Sequence, residues 1–517
     1  MDAQAEKVLK RFNKAKKRKA NWATLYEDAQ EYVCPHRESF NEGDNPGQEK
    51  TGQGKVFDST AIDAVQKFAS NLQSSLVPPM RKWIELKAGP QFKDNKEDMN
   101  KVLSDASDVL FSHLQNSNFD TQIAESFQDL AIGTGALLVM KGTTTSPFRF
   151  INVPLSQLYV LEGPDGRPDT AYREWKLAAR NIEQQWPDAK LPKEIKEQVA
   201  EDPERLIELI EEIYPDEVSL QTVSGKKKQG GFRYSVVAKK GKHQIVSREQ
   251  KSSPWIIFRW STLPGEIYGR GPALIALPDV KTLNKTKELL LQSASISIFG
   301  MWLGDSDSVV NLENIKFSPG TIIPQDRLVN GSPALVPLNS SSDLNLAQIV
   351  IQDLQNSVRN MLFADPLGPI DLPVKSATEV SLRQQELAKR IGSAFGRLQF
   401  ELIQPLVNRC LDILEELGLV DLAELRVDGT NLAIEHVSPL AQAQAEEETL
   451  AIMRYLEMLA GLYGPEALQI AAPLDKTITE VGPRLNVPTS MIPSSTEIKD
   501  AQAKAQLAQL AQAGGQV

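Results

Sequence analysis

The feature that most restricts the fold of this chain is one long helix, predicted from about Ser376 to Leu417. The segment 376–379 (SATE) has the spacing of a capping box, in which a hydroxyl and a carboxylate satisfy N–H groups that the first helical turn leaves unpaired. Gly418 predicts the end, because glycine readily adopts the left-handed conformation that closes a helix. Apolar residues recur between these signals at steps of three, four and seven, which is the repeat of one helix face. They are Val380, Leu387, Ile391, Phe395, Leu398, Leu402, Leu406, Cys410, Ile413 and Leu417. At about 1.5 Å per residue, such a helix would extend roughly 60 Å and would normally brace a large domain or an assembly.

Three residues predict that this helix is kinked. Pro405 has no N–H for the carbonyl of Glu401, and its ring collides with that turn, at a cost of about 3 kcal/mol. Gly392 and Gly396 leave bare backbone on one face, at about 1 kcal/mol each relative to alanine. A kinked core helix that packs closely against a neighbour would show the same pattern, so these residues alone do not define a function.

The segment before the long helix, residues 364–375, predicts a loop. Three prolines and a glycine prevent a regular element there, and the segment mixes leucine and isoleucine with charged residues. Two further helices are predicted upstream, one from Pro272 to about Ile298 and one over 343–363. Short strands and turns are expected between them, over 300–339. The order is therefore helix, small β module, helix, proline-rich loop and long helix.

This ordered set resembles the portal (head-to-tail connector) proteins of short-tailed bacteriophages. The resemblance lies in the loop, the motif KSATEV at 375–380, and the end of the long helix, with QPLV at 404–407 and CLDIL at 410–414. It extends over nearly the whole chain and is strongest at 254–298 and 374–450, whereas the first 250 residues match in outline only. No single element is specific to this family, but the order of elements is.

The resemblance implies an α+β, mainly α, portal fold with wing, stem, clip and C-terminal crown regions, assembled as a ring. The implied regions are a wing at 1–270 completed by 376–435, stem helices at 271–299 and 340–363, a clip at 300–339, a tunnel loop at 364–375, a long kinked wing helix at 376–418, and a crown with a weakly ordered tail at 436–517. Portal rings lie at one capsid vertex of the virion, and double-stranded DNA is packaged and ejected through them. The implied partners are further copies of the chain, twelve in this family, with the terminase motor, capsid, tail adaptor and scaffolding proteins. Assembly would take place in the host cytoplasm.

The resemblance also implies the residues of the DNA channel. The tunnel-loop residues are Asp365, Pro366, Leu367, Gly368, Pro369, Ile370, Asp371 and Lys375. Lys281 and Lys285 share one face of the first stem helix and Lys287 lies near its edge, so these lysines are candidate channel contacts for phosphate. No catalytic residue, cofactor or metal is expected.

The first half of the chain predicts a mixture of helices and strands. A helix is expected over 4–33, an acidic helical segment over about 193–213, a hairpin around residues 232–246, and a buried strand at 254–260. The first helix carries a basic run, Lys14, Lys16, Lys17, Arg18 and Lys19. A solvated helix face explains this run better than a nucleic-acid contact, because no aromatic residue interrupts the basic core.

The search for enzyme motifs gives no active site. The segment 47–55 resembles a Walker A loop but has Gln53 in place of the lysine. The motifs at 133–135 (GTG) and 269–271 (GRG) lack the third glycine of a dinucleotide site, and the four histidines lack zinc-ligand spacing. Two alternatives to a portal remain open at this point, a metal-dependent DNA-processing enzyme such as a nuclease and a non-channel tail adaptor protein.

Charge and cysteine content agree with a protein that DNA passes without adhering. The net charge of −10 argues against tight DNA binding, which depends on phosphate neutralisation. The two cysteines, Cys34 and Cys410, indicate a reducing compartment. We expect a soluble intracellular protein, because no signal peptide opens the sequence and no apolar run reaches the length of a membrane span.

Overall fold

The computed structural model describes most of the chain. The described residues are 3–37, 56–79, 82–88, 96–216 without 165, 231–299, 302–304, 335–337, 344–364, 392, 394–421, 432–436, 452–459 and 461–462. The predicted tunnel loop beyond Ala364, the predicted capping box, most of the predicted clip and most of the predicted crown therefore lie outside the described residues.

Helices and strands occupy most of the predicted positions. The helices are α1 (Ala3–Val33), α2 (Thr60–Leu76), α3 (Lys96–Gln115), α4 (Phe119–Ile132), α5 (Ala179–Gln185), α6 (Lys193–Glu201), α7 (Pro272–Phe299), α8 (Leu344–Met361) and α9 (Gln404–Glu416). The strands are β1 (Ile84–Ala88), β2 (Thr134–Lys141), β3 (Phe148–Asn152), β4 (Leu158–Glu162), β5 (Pro168–Ala178), β6 (Leu206–Asp216), β7 (Gly231–Ala238), β8 (His243–Gln250), β9 (Trp255–Arg259), β10 (Trp302–Gly304), β11 (Leu335–Pro337) and β12 (Leu432–His436).

The strand pairings confirm a mixed helix and sheet architecture. Strands β4 to β8 form a five-stranded meander in chain order, and β3-β2-β9 form a three-stranded sheet. The pairs β1–β12 and β10–β11 are separate. Within the described ranges every pairing is antiparallel, which is typical of α+β rather than α/β folds.

The three-stranded sheet separates two hydrophobic cores, so both of its faces are buried. Leu137 and Val139 of β2 pack into a mainly helical core with α2, α4 and α9. Ala136 and Leu138 of the same strand point the other way, into a core shared with one face of the meander. The strand predicted at 254–260 is buried, which confirms the prediction. Its apolar run is typical of a strand that has both faces covered.

Helix α1 covers the second face of the meander. Val8 and Phe12 pack there against Tyr172, Ile210 and Val237. The ring of Phe12 meets that of Tyr172 edge-on, with their centroids 5.9 Å apart. The meander is therefore a middle layer between α1 and the second core.

The prediction of an acidic helix over 193–213 is wrong in its second half. Only α6 is helical, and β6 begins at Leu206 as the central strand of the meander. Isoleucines at 207, 210 and 213 have a helix-like spacing, but the strand buries both of its faces. Glu211 and Glu212 are consequently buried in the sheet rather than solvated.

The predicted C-terminal end of the long helix is confirmed in detail, whereas residues 376–391 lie outside the described residues. Gly418 has a φ of 70°, the left-handed conformation that the sequence predicts. The Leu419 N–H donates to Leu414 O at 3.0 Å, and the Gly418 N–H donates to Glu415 O at 3.0 Å. This pair of bonds is a Schellman motif, which satisfies carbonyls that the last turn leaves unpaired.

Candidate functional site: the paired helices α7 and α8

Helices α7 and α8 lie side by side in opposite directions where two stem helices are predicted. β10 follows α7 and pairs antiparallel with β11, which precedes α8. At the other end of the pair, Ser357 Oγ donates to Asp279 Oδ2 at 3.0 Å. Val280 and Leu283 of α7 are buried in the helical core with Val358 of α8. One end of the helix pair is thus anchored in the core.

The other half of the helix pair exposes apolar side chains. Leu346 and Ile349 of α8 are 60% and 63% exposed. Val350 of α8 and Leu289 and Leu291 of α7 are exposed as well. Leu346, Ile349 and Val350 share one side of α8, and exposed apolar groups of this kind usually mark an interaction site. We call these five residues the stem face.

A buried carboxylate joins the helix pair to α2. Asp58 Oδ2 accepts hydrogen bonds from Lys287 Nζ of α7 at 2.8 Å and from Gln355 Nε2 of α8 at 2.9 Å. Its Oδ1 accepts the Thr60 N–H at 2.8 Å, at the start of α2. Burial opposes ionisation of Asp58, but the hydrogen bonds from Lys287 and Thr60 outweigh it and hold the pKa below its usual value. Asn284 of α7 adds a bond by accepting the Phe57 N–H at 2.6 Å.

The three lysines predicted as channel contacts all have carboxylate partners. Lys281 pairs with Asp28 of α1, and its Nζ lies 5.6 Å from the ring centre of Tyr32. Lys285 pairs with Glu288 of its own helix at 2.9 Å, and Lys287 pairs with Asp58. Each lysine charge is therefore locally balanced, and contact with DNA stays a prediction for all three.

The predicted long helix is described over residues 394–416, and this part contains a π-helical turn that ends two residues before Pro405. The turn spans Gln399–Ile403, and the Gln404 N–H bonds to Gln399 O, five residues back. Such a turn widens the helix where proline can supply no N–H, so it accommodates Pro405 within the helix. Added Cβ atoms at Gly392 and Gly396 would meet nothing within 4 Å in the part of the chain that the structure describes. The kink itself stays a prediction.

The π-helical turn carries a buried ion pair that sequence reasoning missed. Glu401 Oε1 lies 2.6 Å from Arg259 Nη2 of β9, and both side chains are almost completely buried. Glu401 Oε2 also accepts the backbone N–H of Arg259 at 3.0 Å. Arg259 Nη1 donates to Ile267 O at 3.1 Å. The sequence signal that could have indicated this pair is Arg259, one charged residue in the otherwise apolar strand predicted at 254–260.

The two short glycine motifs pack against each other instead of holding a nucleotide. A Cβ at Gly133 would lie 2.1 Å from Gly269 O, and a Cβ at Gly269 would lie 2.1 Å from Gly133 O. The Gly269 N–H donates to Thr134 Oγ1 at 2.8 Å, and the Tyr26 hydroxyl donates to Gly269 O at 2.5 Å. Residues 133 and 269 are glycines because the two backbones approach too closely to leave room for a Cβ atom.

The described residues contain no group of three or more His, Cys, Asp or Glu side chains able to hold a metal ion. In the same part of the chain, no helix has both the length and the apolar character to cross a membrane. Cys34 and Cys410 are buried, and burial raises the pKa of Cys34 to about 12. Neither thiol has the exposure of a reactive cysteine.

Comparison with known proteins gives matches along most of the chain. A family model described as bacteriophage head to tail connecting protein matches residues 5–492. The probable portal protein of Bordetella phage BPP-1 is 22% identical over 473 residues, which are 89% of this chain and 84% of that protein. The portal protein of Salmonella phage epsilon15 is 23% identical and covers 99% of this chain and 93% of its own length. Among solved structures, a chain of the virion of a native gene transfer agent (GTA) particle covers 81% of this chain and 91% of its own length, with 10% identity and a TM-score of 0.35.

Proposed function

Since this chain belongs to the family of bacteriophage head to tail connecting proteins, we propose that its copies assemble into a ring at one vertex of a phage capsid. The family match over residues 5–492 is the observation that carries this function. The names of the curated relatives favour a portal protein over a metal-dependent nuclease or a non-channel tail adaptor.

The stem face supports assembly from several copies. Closed rotational symmetry arises when one surface of a subunit packs on a different surface of the next. The stem face exposes five apolar side chains on a helix pair that is anchored at its other end. Burial against a neighbouring subunit would remove this surface from water. Gly392, Gly396 and the exposed Phe400 follow one another at four-residue steps and would offer a second contact surface.

Within such a ring, α7 and α8 would be the stem, and the segment between them would be the clip that binds the terminase motor and later the tail adaptor. Residues 364–375 would project into the bore as the tunnel loop. The twelve subunits, the capsid and scaffolding contacts, and assembly in the host cytoplasm belong to this proposal through the family resemblance. The locally balanced lysines of α7 and the net charge of −10 favour passage of DNA without tight binding. Passage requires no bond-making step by this chain.

Electron microscopy of the purified full-length protein tests the proposal, because it detects a ring and its central hole directly. We expect rings with a central hole, and no ATP hydrolysis without an added motor protein. A monodisperse monomer at micromolar concentration would contradict the ring. Hydrolysis that persists in the absence of every motor protein would contradict the structural role.

A further inference from the structure

The structure divides the cations of α1 into two sets with different surroundings. Arg11, Lys16 and Lys19 have partners on the meander side, carboxylates for Arg11 and Lys16 and backbone carbonyls for Lys19. Arg11 Nε lies 3.1 Å from Glu212 Oε1, and Lys16 Nζ lies 3.0 Å from Glu174 Oε2. Lys19 is buried and donates to the carbonyls of Leu155 and Ser156, both at 2.7 Å. The interpretation of the whole basic run as a solvated face is therefore wrong for Lys16 and Lys19.

The second set forms an exposed basic face, which we call the basic ridge. Its members are Lys7, Lys10, Lys14, Lys17 and Arg18. Steps of three, four, three and one place them within one arc of the helix over roughly 17 Å. All five are exposed and make no ion pair within the described chain. Between Glu6 and Glu27, α1 has no acidic residue that could balance them.

A cationic cleft continues the ridge at its N-terminal end. The cleft lies between α1 and strands β6 and β7 and has a volume of about 460 Å³. Four cationic side chains line it, Lys7, Lys10, Arg11 and Arg233, together with one carboxylate, Glu212. Arg11 pairs with Glu212, and Arg233 pairs with Glu249 at 3.4 Å, so the excess positive charge of the cleft comes from Lys7 and Lys10. Ridge and cleft form a local basic surface on a chain whose net charge is −10.

We propose that the basic ridge contacts the phosphate backbone of duplex DNA, independently of base sequence and apart from the channel helices. A protein partner would normally find aromatic or apolar anchors at the centre of its interface. The exposed residues of α1 on and beside the ridge offer none, because Ala3, Asn13, Ala20 and Asn21 lie between and beyond its cations. Lysines act as mobile point charges, which suits a loose, sequence-independent contact with a regular row of phosphates. This contact depends on neither the ring nor the stem face.

Fluorescence anisotropy with the full-length protein and a short labelled duplex tests the proposal, with affinity measured between about 50 and 200 mM salt. The test variant carries Lys7→Gln, Lys10→Gln, Lys14→Gln and Lys17→Gln. The control variant carries Lys190→Gln, Lys193→Gln, Lys196→Gln and Lys240→Gln, four exposed lysines elsewhere with the same change in charge. We expect the slope of log affinity against log salt to fall by about 3 to 4 for the test variant only.

Equal DNA affinity of the test and control variants would overturn the proposal and leave the ridge a solvated face. Binding of polyglutamate but not of DNA by the wild-type protein would also overturn it, and would indicate an acidic protein partner. Thermal unfolding and ring formation of the test variant should match the wild-type protein, because the substituted side chains are exposed. If the test variant does not fold, the pair Lys14→Gln and Lys17→Gln provides the same measurement with about half the change in slope. Ring formation is scored separately, so failure here is distinguishable from failure of the proposed portal function.

Discussion

At the residue scale, the buried pair Arg259–Glu401 places two opposite charges within the core. Two charges removed from water are stable only when each is paired and hydrogen-bonded. The guanidinium meets this condition through both oxygens of Glu401 and the carbonyls of Ile267 and Gly166. The pair links β9 to the π-helical turn, so it fixes the long helix against the central sheet.

Replacement of this carboxylate should destabilise the protein strongly. We expect Glu401→Gln to lower the free energy of unfolding by about 3–5 kcal/mol, because it leaves the buried guanidinium without a counter-charge. Denaturant unfolding at matched protein concentration measures the loss.

Glu416→Gln is the matched control. It makes the same chemical change at the end of α9, where Glu416 pairs with Lys141 at 3.1 Å and both side chains are about one-third exposed. A partly exposed pair contributes about 0–1 kcal/mol. Similar losses for the two variants would refute a special role for the buried pair.

At the element scale, the helical segment 394–416 tolerates Pro405 by a change of hydrogen-bond register. In a regular α-helix this proline would remove the bond to Glu401 O and collide with that turn. The π-helical turn at Gln399–Ile403 lies immediately before it and carries Glu401. One local irregularity therefore accommodates the proline and places the buried carboxylate toward Arg259.

The role of the predicted tunnel loop at 364–375 can be tested by replacing its central residues. Replacement of residues 367–370 by a Gly/Ser linker should leave rings forming normally but impair DNA filling of heads or its retention. The physical reason is that a loop projecting into a bore contacts DNA or neighbouring loops and contributes little to the subunit core. Ring yield and packaged DNA per head are the two measurements.

Each alternative for this loop gives a different result. If Leu367 and Ile370 fill a core together with Leu372, the linker removes the first two, which costs about 1.5–3 kcal/mol per side chain, and the protein aggregates. A plain surface loop gives normal rings and normal, stably filled heads. The same linker in place of residues 143–146, an exposed turn between β2 and β3, is the control and should change neither measurement.

At the scale of the whole molecule, two cores hold the described chain together, and the apolar side chains of the stem face are exposed. The cores share the sheet β3-β2-β9, and α1 closes the meander from outside. The helix pair is buried near Val280 and Val358 but exposes apolar side chains toward its other end. One end of the helix pair is therefore part of the core, and the other end presents exposed apolar side chains.

Polar substitutions on the stem face should weaken the ring without unfolding the subunit. We expect Leu346→Ser with Ile349→Ser to reduce the ring fraction, because apolar area would no longer be buried between subunits. The melting temperature of the subunit should change little, since both side chains are exposed. Sedimentation velocity and electron microscopy measure the ring fraction.

The control pair is Val102→Ser with Leu263→Ser, two exposed apolar residues outside the helix pair. It should leave the ring fraction unchanged. Normal ring formation by the stem-face variant would show that another surface holds the subunits together.

The sequence by itself determined the elements whose signals are local. The apolar run at 254–260, Pro272 at the start of α7 and Gly418 after α9 predicted a strand, a helix start and a helix end that the structure contains. Periodicity, fixed φ angles and left-handed glycine depend on residues a few positions apart, so they can be read without the fold.

Only the tertiary structure decided where charged residues lie relative to the cores. Leu206–Asp216 became a strand because both of its faces are covered, one by α1 and one by the second core. Lys19 lies beside carbonyls 136 and 137 residues away in sequence, and Arg259 lies beside a carboxylate 142 residues away. A charged side chain has the same local pattern whether it is solvated or paired in a core, and the free energy that separates the two states comes from partners that only the fold brings together.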